Sequence, residues 1–475
     1  MKELINNLKG DKGIWSFVML LALISFMPVF SASTNLVYVI GKGSTIGYLV
    51  KHLVHIFIGF GLIYLVHKVP YHYYRGLSQV ALPVVGLLLV YTFFQGTVID
   101  GANASRWIKV PFIGVTFQTS ALAMIVLMIY VARYLAKMDG KEITFKASFF
   151  ELWIPVFAIL ALILPANFST AALIFSMVSM LVFVGRYPLK YLGMIIGMGA
   201  TMLVLFVLFA MAFPKAMPNR VDTWMKRIER FTSNEPNEDD YQIEKAKIAI
   251  ASGMVYGLGP GKSVQKNFLP QSSSDFIFAI IVEEYGLVGG LAVLVLYLML
   301  FFRFLVTAHK AKSLFGKLLI VGLGFPIIFQ ALINMGVAVE LLPVTGQTLP
   351  LISSGGSSIW MTCISIGIII SVTKKEEEIA QELQEKEDRE AALQQLIDEH
   401  ILREKQREEA EAEGRVHRHL GARTTQQAPQ RLPERLGLEI PQRDVERGDG
   451  VARIAGLAAR REQPIELLPD RKSVV

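Results

Sequence analysis

Cysteine is almost absent. Cys363 stands alone, which excludes an intramolecular disulfide framework and a cysteine-based zinc site. Charge is scarce too: Asp, Glu, Lys and Arg make up 18% of the chain, against about 25% in soluble domains. That excludes an ordinary soluble enzyme and a charged disordered chain. The first apolar run, Ile14 to Ser31, lacks the small-residue cleavage site of a signal peptide and reads as a retained helix. No internal repeat is evident, so the paired inverted halves of many secondary transporters are missing as well.

What the 475 residues have in abundance is apolar length. Hydrophobic residues make up 53% and mean hydropathy is +0.45. They come in runs of about 20, enough to span a bilayer core. Ten spans are read, at roughly 14–32, 48–66, 77–95, 113–136, 148–165, 168–185, 189–213, 276–306, 317–338 and 357–373. The predicted fold class is an all-α polytopic membrane protein of about ten transmembrane helices, with one large extracytoplasmic loop, 214–275, between helices 7 and 8. Spans five and six separate only at Pro165-Ala166-Asn167, and Gly286, Gly289 and Gly290 are candidate break points in span eight.

Charge divides the chain into three regions. Residues 1–373 hold 28 Lys and Arg against 17 Asp and Glu, residues 374–414 hold 7 against 15, and residues 415–475 hold 12 against 8. The basic surplus of the first region is no nucleic-acid signature, because its charges sit in short loops between spans. With a cytoplasmic N-terminus, fifteen of these cations fall inside and only Lys42, Arg106 and Lys109 fall in the short outer loops. The positive-inside rule therefore places both termini in the cytoplasm and loops 96–112, 214–275 and 339–356 outside.

The polar residues with chemical potential gather in those outer loops. Gly259-Pro-Gly-Lys-Ser263 suggests a phosphate loop, but that pattern needs glycine where Tyr256 stands; Lys262 and Lys266 still offer point charges to a phosphate. Asp275, after three serines and before an apolar run, reads both as a helix N-cap and as a general base at the membrane surface, and the two readings are compatible. Glu283 and Glu284 fall roughly 12–14 Å further along the same helix. Carboxylates at that depth need a polar groove or a cationic partner. Arg106 and Lys109 flank Trp107, a grouping that suits an anionic lipid headgroup or a simple interfacial anchor. In the last outer loop the prolines and glycines around Ser354, Gly355 and Gly356 forbid a regular helix; such backbone survives at membrane depth only when buried in protein or facing a watery cavity.

Several of these motifs, in this order, resemble the SEDS family (shape, elongation, division, sporulation), and within it the FtsW type. The resemblance covers about residues 10–373. It is carried by Gly101-Ala-Asn-Ala-Ser-Arg-Trp-Ile108, Tyr241-Gln242 leading to Gly257-Leu-Gly-Pro-Gly-Lys-Ser263, Ser274-Asp-Phe-Ile-Phe-Ala-Ile-Ile281 with Glu283-Glu284, Leu342-Pro-Val-Thr-Gly346, and Leu349-Pro-Leu-Ile-Ser-Ser-Gly-Gly-Ser-Ser358. It implies a ten-helix fold and a peptidoglycan glycosyltransferase that polymerises lipid II, a polyprenyl-pyrophosphate disaccharide-peptide. It also implies an essential aspartate, which maps onto Asp275, and as partners a class B penicillin-binding protein transpeptidase and other divisome membrane proteins. The implied place is the bacterial inner membrane, at the septum. Asp275 would deprotonate the acceptor 4-hydroxyl, with inversion at the donor carbon. Arg106, Lys109, Arg220, Lys262 and Lys266 are candidates to meet the pyrophosphate. A divalent metal could share that task, although no His/Asp ligand cluster is evident. A lipid II flippase, a RodA-type elongation polymerase and a non-catalytic scaffold stay open as alternatives.

The pattern departs from the family at Gln118-Thr-Ser-Ala121 with Met124, where Glu and Lys are usual, at Pro165-Ala-Asn-Phe-Ser-Thr170, at Thr345, where some members carry Lys, and at Ser353-Ser-Gly-Gly356. Family roles at those positions are not carried over. Beyond the spans, 374–414 reads as a cytoplasmic amphipathic, charged helix. Segment 415–475 reads as disordered and foreign to the rest: Lys to Arg runs 20 to 8 in residues 1–373 but 1 to 11 here, and Asp470 to Val475 can be back-translated into the start of a common sequencing adapter.

Overall fold

The computed structural model describes residues 9–38, 44–95, 97–99, 102–104, 107–109, 116–212, 238–269 and 271–424. Ten of its helices are apolar. They are α1 Lys12–Tyr38, α2 Thr45–Val66, α3 Tyr73–Gln95, α4 Thr119–Lys137, α5 Phe145–Ile163, α6 Phe168–Val184, α7 Leu189–Ala212, α9 Ile277–Lys310, α10 Leu314–Ala338 and the first part of α11, Gly356–Thr424. Nine have membrane-crossing length and composition, and α6 is the shorter one. They match the ten spans read from the sequence. A further helix, α8 Glu238–Gly253, lies in the long connection between α7 and α9.

The ends of the helices follow from local chemistry. Ser44 and Ser313 cap α2 and α10 by accepting from the backbone N–H of Gly47 and Gly316, each at 3.0 Å. Asn167 caps α6 through Thr170 N at 3.2 Å, so the Pro165-Ala166-Asn167 break is made by a cap as well as by the proline. Short antiparallel strands fill the α3–α4 connection, with β1 Thr97–Ile99 on β2 Ala102–Ala104 and β3 Trp107–Lys109 on β4 Thr116–Gln118.

Packing centres on α10, which meets α9, α4 and α6, while α1 packs on α9 and α2. The main core runs through these helices. A smaller apolar cluster of Ala246, Ala249, Leu269, Phe276, Ala279, Ile280 and Val337 fixes α8 to the start of α9 and the end of α10. The chain divides into two units, 1–389 and 390–475. In the second, helix persists to Thr424 and Leu393, Leu396, Ile397 and Ile401 are exposed.

Span eight breaks at the first of its three candidate glycines. Gly286 has φ +69° inside α9, which only glycine adopts cheaply. The break leaves carbonyls and N–H groups without helical partners, and the segment after α8 supplies them. Leu258 and Gly259 donate to the carbonyls of Glu283 and Glu284, both at 2.9 Å, while Leu287 and Val288 donate to Met254 O (2.9 Å) and Val255 O (3.2 Å). The backbones approach so closely that a Cβ at Gly257 would lie 2.2 Å from Glu284 O.

Candidate active site

Two polar assemblies sit on the loops at the end where α9 begins. The deeper one surrounds Glu283 and Glu284, which are 0% and 1% exposed. Glu283 accepts from the backbone N–H of Val264 (2.9 Å) and Gln265 (3.1 Å) and from the Ser263 hydroxyl. Glu284 accepts from the Ser31 hydroxyl and, at 3.4 Å, from Ser263 N. Lys266, 9% exposed, donates to Ser31 Oγ (3.1 Å) and Gly261 O (2.7 Å). These carboxylates thus hold the 257–266 loop against α1 and α9. Their partners are mostly backbone N–H groups and serine hydroxyls, where the sequence suggested a groove wall or a cationic partner on another helix.

The upper assembly surrounds Asp275. The helix cap is Phe276, so the N-cap reading of Asp275 is not realised. The three preceding carbonyls are taken up by the last loop and by Asn334 on α10. Ser354 N donates to Ser273 O (2.8 Å), the Ser353 hydroxyl to Ser274 O (2.6 Å), and Asn334 Nδ2 to Asp275 O (2.7 Å). Residues 271–276 form a turn, with Ser274 N and Phe276 N donating to Gln271 O (3.0 and 3.4 Å), and the helix starts at Ile277. The Asp275 carboxylate is half-buried, and Oδ2 lies 3.4 Å from where a Cβ would stand on Gly346, a residue at φ +65°. Asn334 also donates to Gln347 O at 2.7 Å, and Gln347 Nε2 reaches Thr170 Oγ1 at 3.1 Å. Thr345 Oγ1, Asn334 Oδ1 and Asn167 Nδ2 are buried with no partner among the described residues.

The other expected residues divide as follows. Lys262 is exposed on the 257–266 loop. Gly355 lies within the last loop and Gly356 opens α11, its missing Cβ 3.1 Å from His55 Nε2. Arg106 and Arg220 lie outside the described residues; Lys109 ends β3, and its side chain is outside them. Among the described residues no group of three or more His, Cys, Asp or Glu could hold a metal ion. A separate groove of about 630 Å³, lined by Gly13, Phe17, Leu298, Met299, Phe302 and Arg303, lies between α1 and the second half of α9.

Sequence reading missed Asn334, Ser353, Ser263 and Ser31. A signal existed for the first: Gln330 and Asn334 are polar, four residues apart and on one face of an otherwise apolar span.

Nine helices of membrane-crossing length and composition among the described residues, packed round a common core, define a class: polytopic all-α membrane proteins. Within that class, the chain belongs to the FtsW/RodA/SpoVE family, described as cell cycle protein, whose model matches residues 11–378. Similar curated proteins include one from Hydrogenovibrio crunogenus, 33% identical over 75% of this chain and 87% of its own. Another, from Nitrosococcus halophilus, is 30% identical over 68% and 82%. Both are named probable peptidoglycan glycosyltransferase FtsW. Among solved structures, the rod shape determining protein RodA of Thermus thermophilus shares the fold at TM-score 0.55 and 24% identity, over 78% of this chain and 99% of its own. A chain from a peptidoglycan synthase complex, described as coordinating polymerization and crosslinking, shares it at 0.59 and 24%, over 77% and 98%.

Proposed function

We propose that this chain is a peptidoglycan glycosyltransferase that lengthens glycan strands from lipid II at the outer face of the bacterial inner membrane, with Asp275 as general base. Membership of a family whose curated members carry that activity in their names supports the activity. One observation supports the residue. Asp275 sits where an apolar span begins, its backbone held by donors from another element and its carboxylate left half-exposed beside Gly346.

The proton and electron balance is simple. Asp275 takes the proton of the acceptor sugar's 4-hydroxyl. That oxygen forms a bond to the anomeric carbon of the donor. The bond from that carbon to the pyrophosphate oxygen breaks, the electron pair leaves with polyprenyl pyrophosphate, and the configuration inverts. The protonated Asp275 then releases its proton to water. Fixed cations stabilise the charge that builds on the leaving group. Lys262 is exposed for this task, and Arg106, Lys109 and Arg220 are assigned to it with Lys262. Lys266 supports them by holding the loop in place. Ser354, Gly355 and Gly356 line the substrate side of the Asp275 loop cluster, and Glu283 and Glu284 support it through the 257–266 loop.

The partner is a class B penicillin-binding protein transpeptidase, working with other divisome membrane proteins at the septum. Residues 1–373 form the enzyme, with both termini cytoplasmic; 374–414 is a cytoplasmic helix, and 415–475 is a tail without a role in the reaction. The test is lipid II polymerisation by the purified full chain. Asp275→Asn is expected to abolish glycan synthesis while leaving a folded protein, and native activity in that variant would overturn the base assignment.

A further inference from the structure

The geometry points to Asn334 as the positioning residue for the base, an inference that rests on the reading of Asp275 above. Asn334 is 1% exposed in α10, and burying an amide there has a cost that leucine would avoid. Its Nδ2 meets two carbonyl oxygens at 2.7 Å, Asp275 O and Gln347 O. Two acceptors facing one end of the amide fix its orientation, since the flipped form would set oxygen against oxygen. The price is Oδ1, left buried with no partner among the described residues. A group kept at that cost is retained for its two donors.

Those donors hold both sides of the candidate base. One fixes the backbone of Asp275, whose segment stays outside the helix until Ile277. The other fixes Gln347, next to Gly346, the residue whose missing Cβ leaves 3.4 Å to Asp275 Oδ2. A single amide on the deeply buried α10 therefore sets the carboxylate and the wall beside it in one frame. A shift of about 1 Å in such a frame can cost about a hundredfold in rate.

The experiment compares Asn334→Leu, Asn334→Ser and Asp275→Asn in the full chain, scored for folded yield, KM and kcat on lipid II, and the pH–rate profile. Asn334→Leu is expected to fold, to keep KM within about twofold, to lose about 10- to 100-fold in kcat and to move the acid limb of the profile. Asn334→Ser, which can donate to one carbonyl only, is expected to recover part of kcat. If the leucine variant does not fold, the serine variant decides. Activity within twofold of native, or an unchanged acid limb with only the folded yield reduced, overturns the positioning role. If Asp275→Asn is dead in the same series, that result leaves the base reading intact; if Asp275→Asn is active, the base reading itself fails.

Discussion

Gly346 stands directly beside the candidate base. Its φ of +65° costs an ordinary L-residue about 1–2 kcal/mol, and a Cβ there would touch Asp275 Oδ2 at 3.4 Å, so the extra methyls of a branched side chain would crowd the carboxylate. Gly346→Val is expected to leave a folded protein with strongly reduced polymerisation, measured as glycan product from lipid II. Native turnover in that variant would mean that the carboxylate does not face this wall during the reaction. Asp275 itself is legible in the sequence because an acid after three serines, at the lip of an apolar run, has few reasons to be there. Its relation to Gly346 is not legible, since 71 positions separate them and only tertiary packing joins them. The N-cap reading fails for the same kind of reason: donors from Ser353, Ser354 and Asn334 override what the local pattern favours.

The 257–266 loop is held by buried hydrogen bonds more than by surface charge. Lys247 on α8 pairs with Glu340 at 2.6 Å, with both side chains about half exposed. The Glu340 carboxylate, accepting a hydrogen bond from the Lys247 ammonium, pushes it above the usual lysine value, but solvent screens an exposed pair of this kind and it adds little to stability. Each backbone N–H received by Glu283 would cost about 1–3 kcal/mol if left unpaired. Glu283→Leu, which removes every acceptor facing those N–H groups, is therefore expected to lower thermal stability markedly and to open the 254–266 segment to limited proteolysis. Lys247→Ala is expected to do neither. Equal stability of the two variants would show that the buried carboxylate does not anchor the loop. At this scale the spans and the break at Gly286 could be read in advance, because apolar length and a glycine inside a helix are local signals. The four short strands could not, since three-residue ladders leave no periodicity to detect. Ser31, which faces Glu284, is hidden too, because a small hydroxyl in an apolar run costs the pattern little.

For the molecule as a whole, every residue given a part in the reaction lies between 106 and 356, inside the family match of 11–378. The core lies there as well. The buried apolar residues extend to Val372, whereas Leu393, Leu396, Ile397 and Ile401 are exposed. Residues 425–475 lie outside the described residues. A chain ending at residue 414 is accordingly expected to insert, to unfold at the same temperature as the full chain and to polymerise lipid II at the same rate. A fall in either measure would assign the Arg-rich segment a structural or catalytic part. Equal values would agree with its foreign composition, a Lys-to-Arg ratio of 1 to 11 against 20 to 8 in residues 1–373.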